Sequence, residues 1–394
     1  MKKTVFRIHS WLGLTLGLVL AAMGTSGALL AYEHEISQAL APAYFAPGIP
    51  AAPDLTPDRL ARQLAQANPG FAANRIDWET ARGRTIAVRL SNPANVQRRS
   101  GRVNRASGAW LPEPAPVAFF ASVERFHRWL LLPGNGNGPG RIVTGLGALA
   151  LLGFAVTGLI LRWPRTRRQW RRLLLLDFTA RKGRLRMIHR VTGIWLIPFY
   201  LISAATGLWW SSETYRKAVM IVLTGHAVRE GGSEPRSGAG HAASAPSWHA
   251  DKAWAAFRAS TGTRYAWIRI TLQQNGDRVQ FEARPADARH AKQIDQFVYQ
   301  AASGERISTK PYASRSLGEI LSRSMLEVHR GAFFGPVMRA AMLVSSLALS
   351  FFAISGLLFW KQRRRKGIAA RAKPARPAIF GARPQQDQGS GFVG

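Results

Sequence analysis

The sequence predicts a membrane α-helical protein: four transmembrane helices in two tandem repeats, with two small periplasmic α+β domains. Three observations predict this fold, namely long uncharged stretches, matching segments in the two halves, and an uneven distribution of basic residues. A helix of about 20 apolar residues crosses the hydrocarbon core of a bilayer, so each uncharged stretch is expected to span it. The four stretches are Ser10–Tyr32, Ile142–Leu161, Val191–Ser212 and Ala340–Trp360.

The net charge of +33 is concentrated beside the predicted spans. Three bases precede the first span, ten lie in Arg162–Arg186 and nine follow Trp360, whereas the only acids in these segments are Asp177 and Asp387. Lys and Arg at span ends stay in the cytoplasm, so both termini and the middle connection are expected there. Nucleic-acid binding is the competing interpretation, and the position of the charge at span ends disfavours it. The first span also resembles a signal peptide, but its apolar run is longer than the usual signal core.

The two halves of the chain match each other. Spans one and three align at an offset of 180 residues, which places His9 and Gly13 opposite His189 and Gly193. Spans two and four share the pattern Phe-Ala-Val/Ile-Thr/Ser-Gly-Leu. Each half is therefore predicted to contain a span, a soluble domain and a second span, with an axis along the membrane normal relating the halves.

The soluble segments also match, and each is predicted to be one helix over an antiparallel sheet. The predicted elements are helix Thr56–Asn68 with strands Arg75–Glu79, Thr85–Leu90 and Arg102–Leu111, then helix Ser247–Ser260 with strands Tyr265–Leu272, Asp277–Ala283 and Gln296–Ile307. Ala106–Gly108 and Ala302–Gly304 are placed in the equivalent last strands. Gly225–Pro246 is rich in Gly, Ala and Ser and is predicted to be a linker.

These predictions divide the chain into eight segments. They are a first transmembrane helix at 1–34, a periplasmic domain at 35–126, an interfacial segment and second transmembrane helix at 127–163, a basic cytoplasmic loop at 164–186, a third transmembrane helix at 187–212, a linker and second periplasmic domain at 213–328, a fourth transmembrane helix at 329–361, and a basic cytoplasmic tail at 362–394.

The chain contains no cysteine, which limits its metal chemistry. Thiolate sites, Cys-ligated iron–sulfur clusters and the covalent attachment of c-type haem are excluded, so a haem would be held by coordination alone. His9 and His189 begin parallel spans at the cytoplasmic face, and two neutral imidazoles from two helices make a low-spin electron-transfer site on haem iron. The residues expected around this pair are Gly13, Gly27, Gly193 and Gly207 against the porphyrin, and Arg7, Arg186 and Arg190 at the propionates.

A second pair, His127 and His329, precedes spans two and four on the periplasmic side. It is expected to hold a second haem, with Arg128 and Arg330 beside it. The alternative is that interfacial His-Arg pairs anchor helix ends and that the glycines only pack helices. The matched depth and repeat position of both pairs favour haem ligation. His34, which follows the first span, is a weaker candidate, as a substitute ligand or a proton site.

The sequence resembles the PepSY-associated transmembrane family. The resemblance lies in His-x-x-x-Gly opening spans one and three, Ser/Thr-Gly near the span ends, Trp163-Pro164 closing span two, and the intervening α+β segments. Within the family, the chain is similar to di-haem inner-membrane reductases of ferric siderophores. The resemblance implies two haem b groups, two PepSY-like domains and a multi-pass protein surrounded by lipid of the bacterial inner membrane.

The same resemblance implies an activity. Electrons would cross the membrane to a periplasmic ferric siderophore, and ferrous iron would be released because siderophores bind it poorly. Some relatives carry a flavin reductase domain that this sequence lacks, so the expected donor is a quinol or a separate cytoplasmic reductase. Two other functions stay open: a non-redox, membrane-anchored binding or assembly module, and an electron-transfer subunit for a periplasmic partner enzyme. The positive charge of the periplasmic segments favours docking of an anionic iron complex.

Overall fold

The computed structural model describes most of the 394-residue chain. The described residues are 2–45, 55–79, 85–92, 97–134, 136–164, 166, 169, 173–176, 183–226, 249–272 and 276–371. Most of the predicted linker, much of the basic loop and the tail beyond residue 371 lie outside them.

Among the described residues, three helices are long and apolar enough to cross a membrane: α7 (Pro139–Arg162), α8 (Arg184–Ser211) and α13 (Pro336–Arg371). The first predicted span is not one straight helix. It consists of α1 (Lys2–Thr15) and α2 (Gly17–Ala31), bent by 60° at a break, and this pair makes a fourth candidate span if it counts as one. Glycine on both sides of the break lowers helix propensity there.

The spans pack closely around a small apolar core. Leu20, Leu151, Tyr200 and Ala204 are buried between them. Helix α2 runs along α13, and α7 runs along α8. A side-chain Cβ at Gly24 would overlap the backbone oxygen of Ser346, so glycine is what allows α2 this close to α13.

Seven antiparallel strands form a single sheet in the order β3-β2-β1-β4-β5-β6-β7. The strands are β1 (Ala72–Glu79), β2 (Thr85–Ser91), β3 (Arg98–Asn104), β4 (Tyr265–Leu272), β5 (Arg278–Pro285), β6 (Asp295–Gln300) and β7 (Arg306–Lys310). The two predicted α+β units therefore share one sheet, joined where β1 pairs with β4. Without this pairing, β1 and β4 would each be an edge strand with unpaired backbone N–H and C=O groups.

The ends of the predicted last strands are corrected by the structure. Strand β3 stops at Asn104, and the predicted strand Gln296–Ile307 is divided into β6 and β7. The matching Ala-Ser-Gly segments form the turns that follow β3 and β6. Gly108 and Gly304 adopt φ angles of +67° and +75° in these turns, a region that glycine enters without steric cost.

The sheet has one apolar and one polar face. Helices α5 (Pro57–Ala67) and α10 (Asp251–Thr261) contribute to an apolar core with Ile76, Ile268 and Phe281. Side chains alternate along a strand, so the other face is polar. There Arg269 donates to Asp77 at 2.8 Å and to Glu282 at 3.3 Å.

Short helices connect the sheet to the spans. Helices α3 (Glu33–Leu40) and α4 (Pro42–Phe45) follow α2, α6 (Ala115–Trp129) precedes α7, and α9 (Glu213–Thr224) follows α8. Helices α11 (Leu317–Arg323) and α12 (Met325–His329) lead through a 3₁₀ turn, Ala332–Phe334, to α13. His127 and His329 lie near the ends of α6 and α12 and so occupy equivalent junctions between sheet and spans.

Candidate functional site

His9 and His189, here called the inner pair, line one cavity of about 520 Å³. Helices α1, α7, α8 and α13 all contribute walls to this inner cavity. Its volume is within the range of about 300–1,000 Å³ that is typical of cofactor pockets. The two histidines that begin different predicted spans are therefore brought to a common space.

A hydroxyl group holds each imidazole of the inner pair. His9 Nδ1 lies 2.8 Å from Thr157 Oγ1, and His189 Nδ1 lies 2.6 Å from Ser355 Oγ. Both hydroxyls donate to backbone carbonyls of their own helices, so each accepts its bond from an Nδ1–H group. This tautomer leaves the Nε2 lone pair free for a metal. Phe154 and Phe352 fix the rings edge-on at centroid distances of 5.1 and 4.9 Å.

Glycine forms part of the cavity wall. The predicted Gly13 and Gly193 line the cavity, and so do Gly158 and Gly356, which sequence reasoning did not single out. A Cβ at Gly13 would lie 3.9 Å from Phe154, and one at Gly193 would lie 3.8 Å from Phe352. Small residues on several helices keep the walls flat enough for a planar group.

Four arginines line the inner cavity: Arg162, Arg186, Arg190 and Arg363. Arg186 and Arg190 were predicted here. Arg7 was also predicted, but it is exposed and does not line the cavity. Sequence reasoning missed Arg162, which directly follows the second predicted span, and Arg363, which lies three residues after the fourth. Within the described residues, the Nε of Arg162 is buried and has no hydrogen-bond partner, which suits an anionic group of a ligand.

His127 and His329, here called the outer pair, face each other across 6.3 Å between ring centroids. His127 Nδ1 lies 3.0 Å from both Ser26 Oγ and the carbonyl oxygen of Met23. His329 Nδ1 lies 2.6 Å from Thr206 Oγ1. A carbonyl only accepts, so Nδ1 of His127 carries its proton and Nε2 is again the free nitrogen.

Burial favours the neutral form of both imidazoles of the outer pair. Burial lowers the pKa of His127 below its usual value. Burial, the neighbouring His127 and Arg330 lower the pKa of His329 to about 3. The 6.3 Å separation of the ring centroids is short enough for both imidazoles to reach one metal ion. The donor type, protonation and spacing of the outer pair therefore fit bis-histidine ligation.

Gly27 and Gly207 were expected beside the inner pair, but neither lines the inner cavity, and Gly27 packs against the outer pair instead. A Cβ at Gly27 would lie 2.9 Å from Cε1 of His127, so only glycine fits there without displacement of the ring. The equivalent Gly207 differs, because its Cβ would lie 3.8 Å from the Cβ of Ala148, an ordinary contact. Trp210 meets the ring of His329 edge-on at 5.5 Å.

The other residues predicted near the outer pair have partners of their own. Arg128 forms an ion pair with Glu124 at 2.8 Å, and Arg330 forms one with Glu33 at 3.7 Å. The ring of His34 packs edge-on against Phe45 at 5.8 Å. The described part of the chain contains no group of three or more His, Asp or Glu side chains that could hold a bare metal ion. The two histidine pairs are its candidate metal ligands.

The spans and the paired histidines define a helical membrane protein with one histidine pair at each end of its bundle. The chain belongs to the family described as the PepSY-associated TM region, whose model matches residues 6–363. The match includes both histidine pairs and the whole sheet, and it confirms the family predicted from the sequence. A search of curated proteins found no match. The finer likeness to di-haem siderophore reductases stays a prediction.

Proposed function

We propose that this protein is a b-type di-haem reductase of the bacterial inner membrane that delivers electrons to a periplasmic ferric siderophore. One observation carries the proposal. Each end of the helix bundle has two histidines, one from each half of the chain. In all four, Nδ1–H donates a hydrogen bond to an oxygen, which for His329 is the Thr206 hydroxyl that itself donates to a carbonyl, so Nε2 is left free. Histidines that only anchor helix ends would not need this matched arrangement.

Charge supports an orientation with the inner pair at the cytoplasmic side. In the described part of the chain, α1, the end of α7, the start of α8 and the residues after Trp360 contain no Asp or Glu, while Lys and Arg are abundant. Basic residues at span ends stay in the cytoplasm. Under this orientation both termini are cytoplasmic, and the sheet lies in the periplasm with the outer pair beneath it.

The residues of the inner cavity would bind and orient a haem b. His9 and His189 would hold the haem iron, the glycines would leave room for the macrocycle, and the four arginines would neutralise its propionates. When bound, haem supplies reversible one-electron chemistry. Thr157 and Ser355 hold the imidazole orientation and raise its basicity as a ligand.

The residues of the outer pair would hold the second haem b. His127 and His329 would be the ligands, while Ser26, Met23 and Thr206 fix their rings. A ferric siderophore docked above this pair would accept one electron per iron. The resulting ferrous ion would leave because siderophores bind it poorly. A quinol or a separate cytoplasmic reductase would supply electrons at the inner end.

Haem content and its dependence on the inner pair test the proposal. Pyridine haemochrome analysis of the purified protein is expected to give about two b-type haems per chain, since two ligand pairs are present. His9→Ala and His189→Ala should each lower this to about one, and His34→Ala should leave two. A folded wild-type protein without a Soret band would refute the proposal and favour a non-redox binding module.

A further inference from the structure

Arg315 is buried, and two of its three guanidinium nitrogens have no hydrogen-bond partner in the described part of the chain. It is 8% exposed, and its Nε and Nη2 atoms are buried and make no hydrogen bond. It directly follows the 3₁₀ turn Tyr312–Ser314 and precedes α11. Burying an unpaired charge is strongly unfavourable unless some group neutralises it.

The carboxylates around Arg315 are already used by other groups. Glu282 accepts from Arg269 at 3.3 Å and from Gln296 at 3.0 Å. Asp295 accepts from the hydroxyl of Tyr265 and the backbone N–H of Tyr312, both at 2.7 Å. Glu319 accepts from Lys310 at 2.7 Å and closes a capping box with Ser316. None of these three acids forms an ion pair with Arg315.

Arg323 acts on Arg315 as a further positive charge, and two other described side chains, Arg284 and Ser324, lack an ion-pair or hydrogen-bond partner. Burial, followed by the neighbouring Arg323, lowers the pKa of Arg315, but a guanidinium keeps its proton at physiological pH. Arg284, on the polar face of β5, is half-buried and stacks on Trp267 at 5.6 Å. No described carboxylate lies within ion-pair distance of Arg284, with Glu79 and Glu327 the nearest acids acting on it. Ser324 Oγ is buried and also has no partner among the described residues.

The position of Arg315 connects it to the outer pair. Arg315 lies at the start of the α11–α12 segment, whose last residue is His329. The arginines nearest the outer pair in sequence, Arg128 and Arg330, already pair with glutamates. Arg315 lies on the sheet side of this junction, where Glu282 of β5 and Asp295 of β6 act on it.

We propose that Arg315 binds an anionic oxygen group of the ferric chelate, so that the preferred substrate carries catecholate or carboxylate groups rather than being an uncharged trihydroxamate complex. The inference rests on the proposed function. The planar fork of a guanidinium donates two parallel bonds to a carboxylate or catecholate edge. Arg284 adds long-range attraction for the same ligand.

Binding of gallium(III) chelates tests the proposal separately from electron transfer, because gallium is not reduced under these conditions. Calorimetry on the full-length protein in detergent should show a gallium tricatecholate binding at least about tenfold tighter than a gallium trihydroxamate. Arg315→Gln should weaken tricatecholate binding by about 10- to 100-fold, since charge-assisted hydrogen bonds are lost. Arg306→Gln, on the exposed strand β7, is the matched control and should change affinity less than about twofold.

Several results would overturn the proposal. Equal affinity of the wild type for both gallium chelates would do so, and this comparison decides alone if Arg315→Gln folds poorly. Loss of outer haem absorbance in Arg315→Gln would assign the guanidinium to the cofactor instead. A protein without haem that still binds the tricatecholate in an Arg315-dependent way would refute the proposed reductase and keep this binding site.

Discussion

Asp58 and Asp251 cap each other's helices. The carboxylate of Asp58, at the start of α5, accepts the backbone N–H of Ala250 at 2.6 Å and that of Asp251 at 3.3 Å. The carboxylate of Asp251, at the start of α10, accepts the N–H of Asp58 at 2.9 Å and the hydroxyl of Thr56 at 2.7 Å. Acceptors at a helix N-terminus satisfy free N–H groups and complement the helix dipole. The N-termini of α5 and α10 are therefore held together by hydrogen bonds in both directions.

Replacing either aspartate should loosen the sheet without affecting the haem sites. Asp58→Ala leaves two backbone N–H groups without acceptors, so the free energy of unfolding should fall by about 2 kcal/mol. Thermal unfolding in detergent, followed by tryptophan fluorescence, would measure the change. Asp287→Ala, at an exposed position, is the control and should be nearly neutral. An unchanged melting temperature in Asp58→Ala would contradict the capping role.

Loss of an outer histidine should stop electron exit and leave electron entry intact. In His127→Ala or His329→Ala, the remaining imidazole cannot hold the outer haem alone. Stopped-flow spectroscopy should then show haem that is reduced from the cytoplasmic side but is no longer reoxidised by ferric siderophore. Normal reoxidation in both variants would place the exit site elsewhere, and His34 would be the first residue to test.

Gly27 and Gly207 are equivalent in sequence but should respond differently to substitution. Gly27→Ala places a methyl group 2.9 Å from Cε1 of His127, which must displace the ring. We expect loss of most outer haem in Gly27→Ala, measured by haemochrome analysis and by the reduced-minus-oxidised spectrum. Gly207→Ala is the matched control, because its methyl group meets Ala148 at 3.8 Å. Equal haem loss in both variants would mean that the glycines act only in helix packing.

The hydroxyl that holds His9 should matter for haem affinity. Thr157→Val keeps the shape of the side chain but removes the acceptor of the Nδ1–H bond. Loss of such a supporting bond typically weakens metal binding by about 10- to 100-fold. Transfer of haem to apomyoglobin would measure this as faster loss from the inner site. Thr15→Val removes an exposed hydroxyl that bonds only to its own helix and should leave haem transfer unchanged.

The candidate site was predicted more fully than the fold around it. The histidine pairs follow from their spacing before matched spans, and the structure brings each pair together. The bend after Thr15 was missed, because an uncharged stretch of sequence indicates how long a membrane span is but not whether its helix is straight. Arg162 and Arg363 were missed because a basic residue just after a span is already explained by the orientation of the protein in the membrane. Whether such a base lines a cavity depends on helix packing.

The sequence pattern also did not predict that the two α+β units share one continuous sheet. Alternation of apolar residues predicts the strands and their buried face, but it does not predict which strand pairs with the edge strand of each α+β unit. The pairing of β1 with β4 joins segments about 190 residues apart, and such long-range pairing leaves no local signal. Its register sets Asp77 opposite Arg269, so a salt bridge crosses the boundary between the two halves.

The pairing of β1 with β4 bears on how such a molecule could have arisen. Each histidine pair takes one imidazole from each half of the chain, and the central strands meet at the same boundary. A half-length ancestor would therefore have possessed only one ligand for each site and one unsatisfied sheet edge. Self-association about a two-fold axis would have completed both sites and the sheet at once. Fusion of two such genes would then have freed each copy to diverge, as the tyrosine at 200 opposite the leucine at 20 illustrates.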